Sequence, residues 1–150
     1  AYCQDNEISW YDWSRVEAHS GIHRFVRRMI AFRKDHPVLR SPAFYAEDEI
    51  RWRDPAGDVP AWDDPQARQL ACWIAGGDEE ADLLLIFNAA AEGVSFALPD
   101  PPHGEPWHVA VGTAQPAPDD AADPGEAPAL TDASSFKAGP RSSAILVASA

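Results

Sequence analysis

Tyr2, Gln4, Asp5 and Asn6 open the chain, and Trp10, Tyr11 and Trp13 follow before residue 14. Aromatic rings beside amide and carboxylate groups are the chemistry of sugar recognition. The ring faces stack on the apolar C–H faces of a pyranose, while Gln, Asn and Asp exchange hydrogen bonds with its hydroxyls. The same aromatics would equally anchor a loop onto a neighbouring domain. Trp52, Trp62 and Trp107 are further stacking candidates at strand or loop positions, and each suits a core or an interface as well. A catalytic set does not assemble from pattern. The chain contains no GxSxG, HExxH, P-loop or GxGxxG. Its carboxylates lie mostly in turns, where Asp bonds to nearby backbone. Cleavage of a glycosidic bond needs two carboxyl groups roughly 5–10 Å apart around a sugar, and no such pair is visible. Cys3 and Cys72 form no CxxC or Cys/His cluster, and His19, His23, His36, His103 and His108 are scattered. Reduced thiols, no metal and no cofactor are expected.

The elements that must position these residues fall into two kinds. Ser14-x-x-Glu17 fits a capping box, in which hydroxyl and carboxylate satisfy orphan amides at a helix start. Ser20 offers a second start, because Gly21 interrupts the pattern. Ile22, Phe25, Val26, Met29, Ile30 and Phe32 then recur at the spacing of a helix with one buried face. Arg24, Arg27, Arg28, Arg33 and Lys34 fill the other side and read as a solvated face. Pro37 disfavours helical geometry at His36, so the helix should end near Asp35.

Beyond Pro42 the chain reads as short strands and turns. Residues 43–45 and 50–53 are weak strand candidates, and 68–74, 82–88, 94–98 and 107–111 are better ones. The run DLLLIFN is apolar enough for a central strand covered on both faces. Residues 113–128, rich in Ala, Pro and Asp, read as a loop that buries no core. Residues 134–137 and 142–147 are expected to close as a hairpin. The fold class is mainly β: an N-terminal amphipathic helix followed by an antiparallel β-sandwich.

Composition bounds the partners. Residues 1–41 carry seven Lys/Arg and five Asp/Glu, net +2, whereas residues 42–150 carry five and nineteen, net −14. So acidic a surface argues against nucleic acid or an anionic membrane. No signal peptide or transmembrane run is visible, and a cytoplasmic setting is expected.

The segment AYCQDNEISWYDW, followed by FVRRMIAFRKDHPVLR, closely resembles bacterial glycogen debranching enzymes of the isoamylase type, within the alpha-amylase family. Asp64-Pro65-x-Ala67-Arg68, LLLIFNAA and PRSSAILVA resemble that family's C-terminal β-sandwich in the same order. Residues 54–60 and 113–128 depart from it. The resemblance implies that residues 1–41 are the loop and last helix of a β/α barrel, and that 42–150 are the accessory β domain. It implies a retaining hydrolase of α-1,6 branch linkages, with an Asp nucleophile, a Glu acid/base and a second Asp. All three precede the eighth barrel helix, so no catalytic residue maps here and the chain alone should be inactive. Tyr2, Gln4, Asp5 and Asn6 match the loop bordering the cleft and are the expected substrate-binding residues, with branched α-glucan as the partner. The apolar helix stripe should pack on the missing barrel, each side chain contributing roughly 1.5–3 kcal/mol. Without the barrel, it should fold onto the sandwich or self-associate. The alternatives are a non-catalytic carbohydrate-binding module and an acidic interaction domain.

Overall fold

The computed structural model describes residues 2–77, 80–101 and 104–149. Among these residues seven strands run β1 Ile50–Arg53, β2 Gln69–Ile74, β3 Asp82–Asn88, β4 Val94–Ala97, β5 His108–Gly112, β6 Ser135–Ala138 and β7 Ser142–Ala148. They form a five-stranded sheet in the order β1-β2-β3-β7-β5 and a two-stranded sheet, β4-β6, with every pairing antiparallel. Residues 43–45 are not a strand; Tyr45 instead donates its hydroxyl to the Val38 carbonyl at 2.7 Å.

The core lies between the sheets. Ala71, Leu84, Ile86, Ala144, Leu146 and Ala148 project from the large sheet against Phe96 and Ala138 of the small one, and Trp107 joins the same cluster. Such burial contributes roughly 25 cal/mol per Å² of apolar surface removed from water.

The expected β6–β7 hairpin does not form. β6 pairs with β4, and β7 lies between β3 and β5. The crossing is held by Asn88, which is 2% exposed and donates to the carbonyls of Gly139 (2.7 Å) and Glu92 (2.8 Å). Arg141, at φ 46°, donates its amide to Ala90 at 2.9 Å. A Cβ on Gly139 would sit 2.6 Å from that of Ala114, so glycine is needed at the crossing.

The helical segment comprises α1 Arg15–Ala18, α2 Ser20–Asp35 and a 3₁₀ turn at Pro37–Arg40. Ser14 makes no capping bond to the helix; its hydroxyl donates to Asp12 instead. The second start, Ser20, is where the long helix begins. Phe32, Val38 and Leu39 pack over Cys72, Ile74 and Leu83 on the outer face of the large sheet. They cover only one end of it. Farther along the same face, Leu85 is half-buried and Phe87 is 40% exposed, so DLLLIFN is not fully covered on its second side.

Two expectations about the helix are corrected. Phe25, Met29 and Phe32 are half-buried, but Ile22, Val26 and Ile30 are exposed, so only part of the stripe turns inward. The basic face is not simply solvated. Arg24 pairs with Asp120, and Arg28 with Asp123. These pairs tie α2 to residues 113–128. That segment bonds to the β5 edge through Gly112 to Asp120 (3.0 Å) and Ala122 to Ala110 (2.9 Å), and it buries Ala121.

Candidate functional site

All four residues expected to touch sugar lie in one loop ahead of α1. Gln4, Asp5 and Asn6 are drawn together by local bonds. The Trp10 indole donates to Asp5 Oδ1 at 2.7 Å, and the Ile8 amide to Asn6 Oδ1 at 3.1 Å. The Asn6 side-chain amide reaches Gln4 Oε1 at 3.4 Å. The Asn6 carbonyl accepts from the amides of Ser9 (3.0 Å) and Trp10 (3.1 Å), which closes the loop. Tyr2 stands apart, 92% exposed. The loop thus holds its amide and carboxylate groups in a fixed arrangement with lone pairs to spare. Trp10, Tyr11, Trp13, Val16 and Ile22 line one open groove beside it. Tyr11 and Trp13 lie 6.0 Å apart, tilted by 39°. Asp12 is held below the usual carboxylate range, chiefly by the Ser14 hydroxyl and then by its amide.

Two further carboxylates, Asp82 and Asp132, are structural in their bonding. Asp82 is the buried one among the described residues; its oxygens accept from the Trp73 indole (2.6 Å) and the Gly76 amide (2.8 Å). With both oxygens committed across the β2–β3 connection, Asp82 has no open face for acid–base chemistry. Asp132 is pulled down to about 2, first by the Ser134 hydroxyl, then by its amide and by Ser135. A carboxyl so stabilised as the anion is a poor general acid at neutral pH. No three His, Cys, Asp or Glu among the described residues cluster as a metal site.

One cleft was not foreseen. Between α2, the β5 edge and residues 122–127 lies a cavity of about 380 Å³, lined in part by Met29, Phe32, His36, His108 and Val147. His36 Nδ1 lies 2.8 Å from the Phe32 carbonyl, and His108 Nδ1 lies 2.8 Å from that of Ala127. Two histidines far apart in sequence thus share a cleft that Ser149 also lines, and each ring is fixed by a backbone carbonyl. Of the tryptophan candidates, Trp107 is 0% exposed and donates its indole to the Pro99 carbonyl at 3.0 Å, which makes it core. Trp52 and Trp62 remain at the surface, 40% and 63% exposed.

The β domain matches known proteins. The family model described as isoamylase, C-terminal, matches residues 49–147, from the residue before β1 almost to the end of β7. The chain belongs to the isoamylase C-terminal family. Relatives agree: an isoamylase of Pseudomonas amyloderamosa is 32% identical over 114 residues, covering 72% of this chain and 15% of that protein. A glycogen operon protein GlgX homolog of Mycobacterium tuberculosis is 30% identical over 130 residues, covering 71% and 18%. The family domain is thus a small part of much longer relatives. A type I pullulanase of Bacillus subtilis, solved in complex with maltose, superposes with a TM-score of 0.65 at 16% identity, covering 93% of this chain and 17% of its own. That likeness speaks for the fold. No helix among the described residues is long and apolar enough to cross a membrane.

Proposed function

We propose that this chain is the C-terminal accessory part of a debranching glycoside hydrolase that cleaves α-1,6 linkages in branched α-glucan such as glycogen, in the cytoplasm. The match to the isoamylase C-terminal family over residues 49–147 carries the reading. In it, residues 1–41 are the last loop and helix of a catalytic β/α barrel and 42–150 are the β domain. Tyr2, Gln4, Asp5 and Asn6 border the cleft and offer hydroxyl partners to glucan. Ile22, Val26 and Ile30 pack on the barrel. The catalytic carboxylates belong to that barrel, consistent with carboxylates such as Asp82 here being committed to backbone and indole donors.

Reading the frame upstream of Ala1 and assaying its complete product tests this. Several hundred codons for a barrel, and a product that releases linear chains from glycogen, are expected; the purified 150-residue chain should release none. Debranching by the 150-residue chain alone, or a complete product inert on branched glucan, would sink the reading.

A further inference from the structure

Trp52 and Trp62 come from separate segments, yet their rings lie 6.0 Å apart with planes at 78°. Trp52 sits on β1, which has no neighbour beyond it in the large sheet among the described residues. Trp62 stands in a turn closed by the Asp64 amide on the Ala61 carbonyl at 3.0 Å. Asp64 Oδ1 in turn accepts from the Gln66 amide at 2.8 Å, fixing the following turn. Turn positions favour Gly, Pro, Asn, Asp and Ser for backbone reasons. Turn chemistry does not explain an indole there, and its contact with Trp52 still leaves Trp62 63% exposed.

We propose that this pair is a second, non-catalytic binding surface for a neutral α-1,4-glucan chain. Three observations select that ligand. Two mutually braced indoles offer large apolar faces with little conformational freedom left to lose, which suits the C–H faces of a sugar. The segment that carries the pair, residues 50–68, sets Arg51, Arg53 and Arg68 against Asp54, Asp58, Asp63 and Asp64, a near balance that selects neither an anion nor a cation and suits a neutral polyol. The angle of 78° is the third. Rings so inclined do not both lie flat on an extended ribbon such as a β-1,4-glucan, whereas a curved α-1,4 chain turns from one ring to the other. Asp63 and Gln66, both exposed within the same two turns, supply hydroxyl partners. The choice of glucan also draws on the debranching reading, but the site lies apart from the Tyr2–Asn6 loop in the sequence.

The test follows indole N–H signals of the 150-residue chain by NMR during titration with maltoheptaose, the two signals being identified in Trp52→Phe and Trp62→Phe variants. At about 20 mM sugar a 1 mM site would be nearly saturated. The Trp52 and Trp62 signals should shift, cellohexaose should leave them in place, and Trp62→Ala should weaken binding about tenfold while unfolding at a similar temperature. Signals that stay still with maltoheptaose, that answer equally to cellohexaose, or binding unchanged in Trp62→Ala, would each overturn the proposal. Debranching by the complete product with unmoved indoles removes this inference alone; shifted indoles with no debranching remove only the enzyme reading.

Discussion

Cys72 shows how burial decides the chemistry of a single residue. It lies on β2, in register with Trp52 on one side and Leu85 on the other, and is 3% exposed. Burial pushes its thiol up from 9.0 to about 11. The thiolate is the reactive form, so Cys72 is inert near neutrality, whereas Cys3 is exposed. The sign of the pH effect follows. The folded state holds the thiol proton more tightly, so this contribution to stability is full below about pH 9 and is lost as pH rises towards 11. At pH 8, N-ethylmaleimide should label Cys3 at once and Cys72 only in denaturant, as read by peptide mass spectrometry. Prompt native labelling of Cys72 would show that the α2 segment does not seal this part of the sheet.

The ion pairs of α2 belong to the scale of elements. The Arg24 and Asp120 side chains are 27% and 16% exposed, whereas Asp123, opposite Arg28, is 63% exposed. Solvent screens the second pair more than the first. A double-mutant cycle on Arg24→Ala and Asp120→Ala should give a coupling of about 1 kcal/mol, shrinking in salt, with the Arg28–Asp123 coupling smaller. Equal couplings would contradict the difference in burial. The sequence did not reveal this clamp, because its halves are 96 residues apart, one reading as a solvated helix face and the other as an Ala/Pro/Asp-rich loop. Strands were legible for the opposite reason: alternation and turn residues are local signals, and all seven strands begin or end within a residue of where the pattern puts them. The β6–β7 pairing misled because a hairpin is the local default, while Asn88 and Gly139 redirect the chain from across the sandwich. In the candidate site, the composition of the Tyr2–Asn6 loop was legible, but the convergence of Trp52 with Trp62, and of His36 with His108, depended on tertiary structure.

At the scale of the whole molecule, an apolar face of α2 is left uncovered. The sandwich buries its own core, but Ile22, Val26 and Ile30 are 66%, 48% and 51% exposed along one side of α2. Side chains that bury little in this chain contribute little to its folding, so replacing all three with Ser should change its stability by only about 0.5 kcal/mol each. The charge of −12 opposes contact between copies, so self-association through this face should emerge as salt screens that repulsion, and the triple substitution should abolish it in sedimentation. On the proposed reading, in which a barrel accompanies this chain, the outcome should reverse. If a barrel covers the stripe, each lost side chain removes roughly 1.5–3 kcal/mol, and the substitutions should lower the unfolding temperature of the complete protein by several degrees. Strong destabilisation of the 150-residue chain, or none of the complete protein, would mean that the helix face has been assigned to the wrong contact.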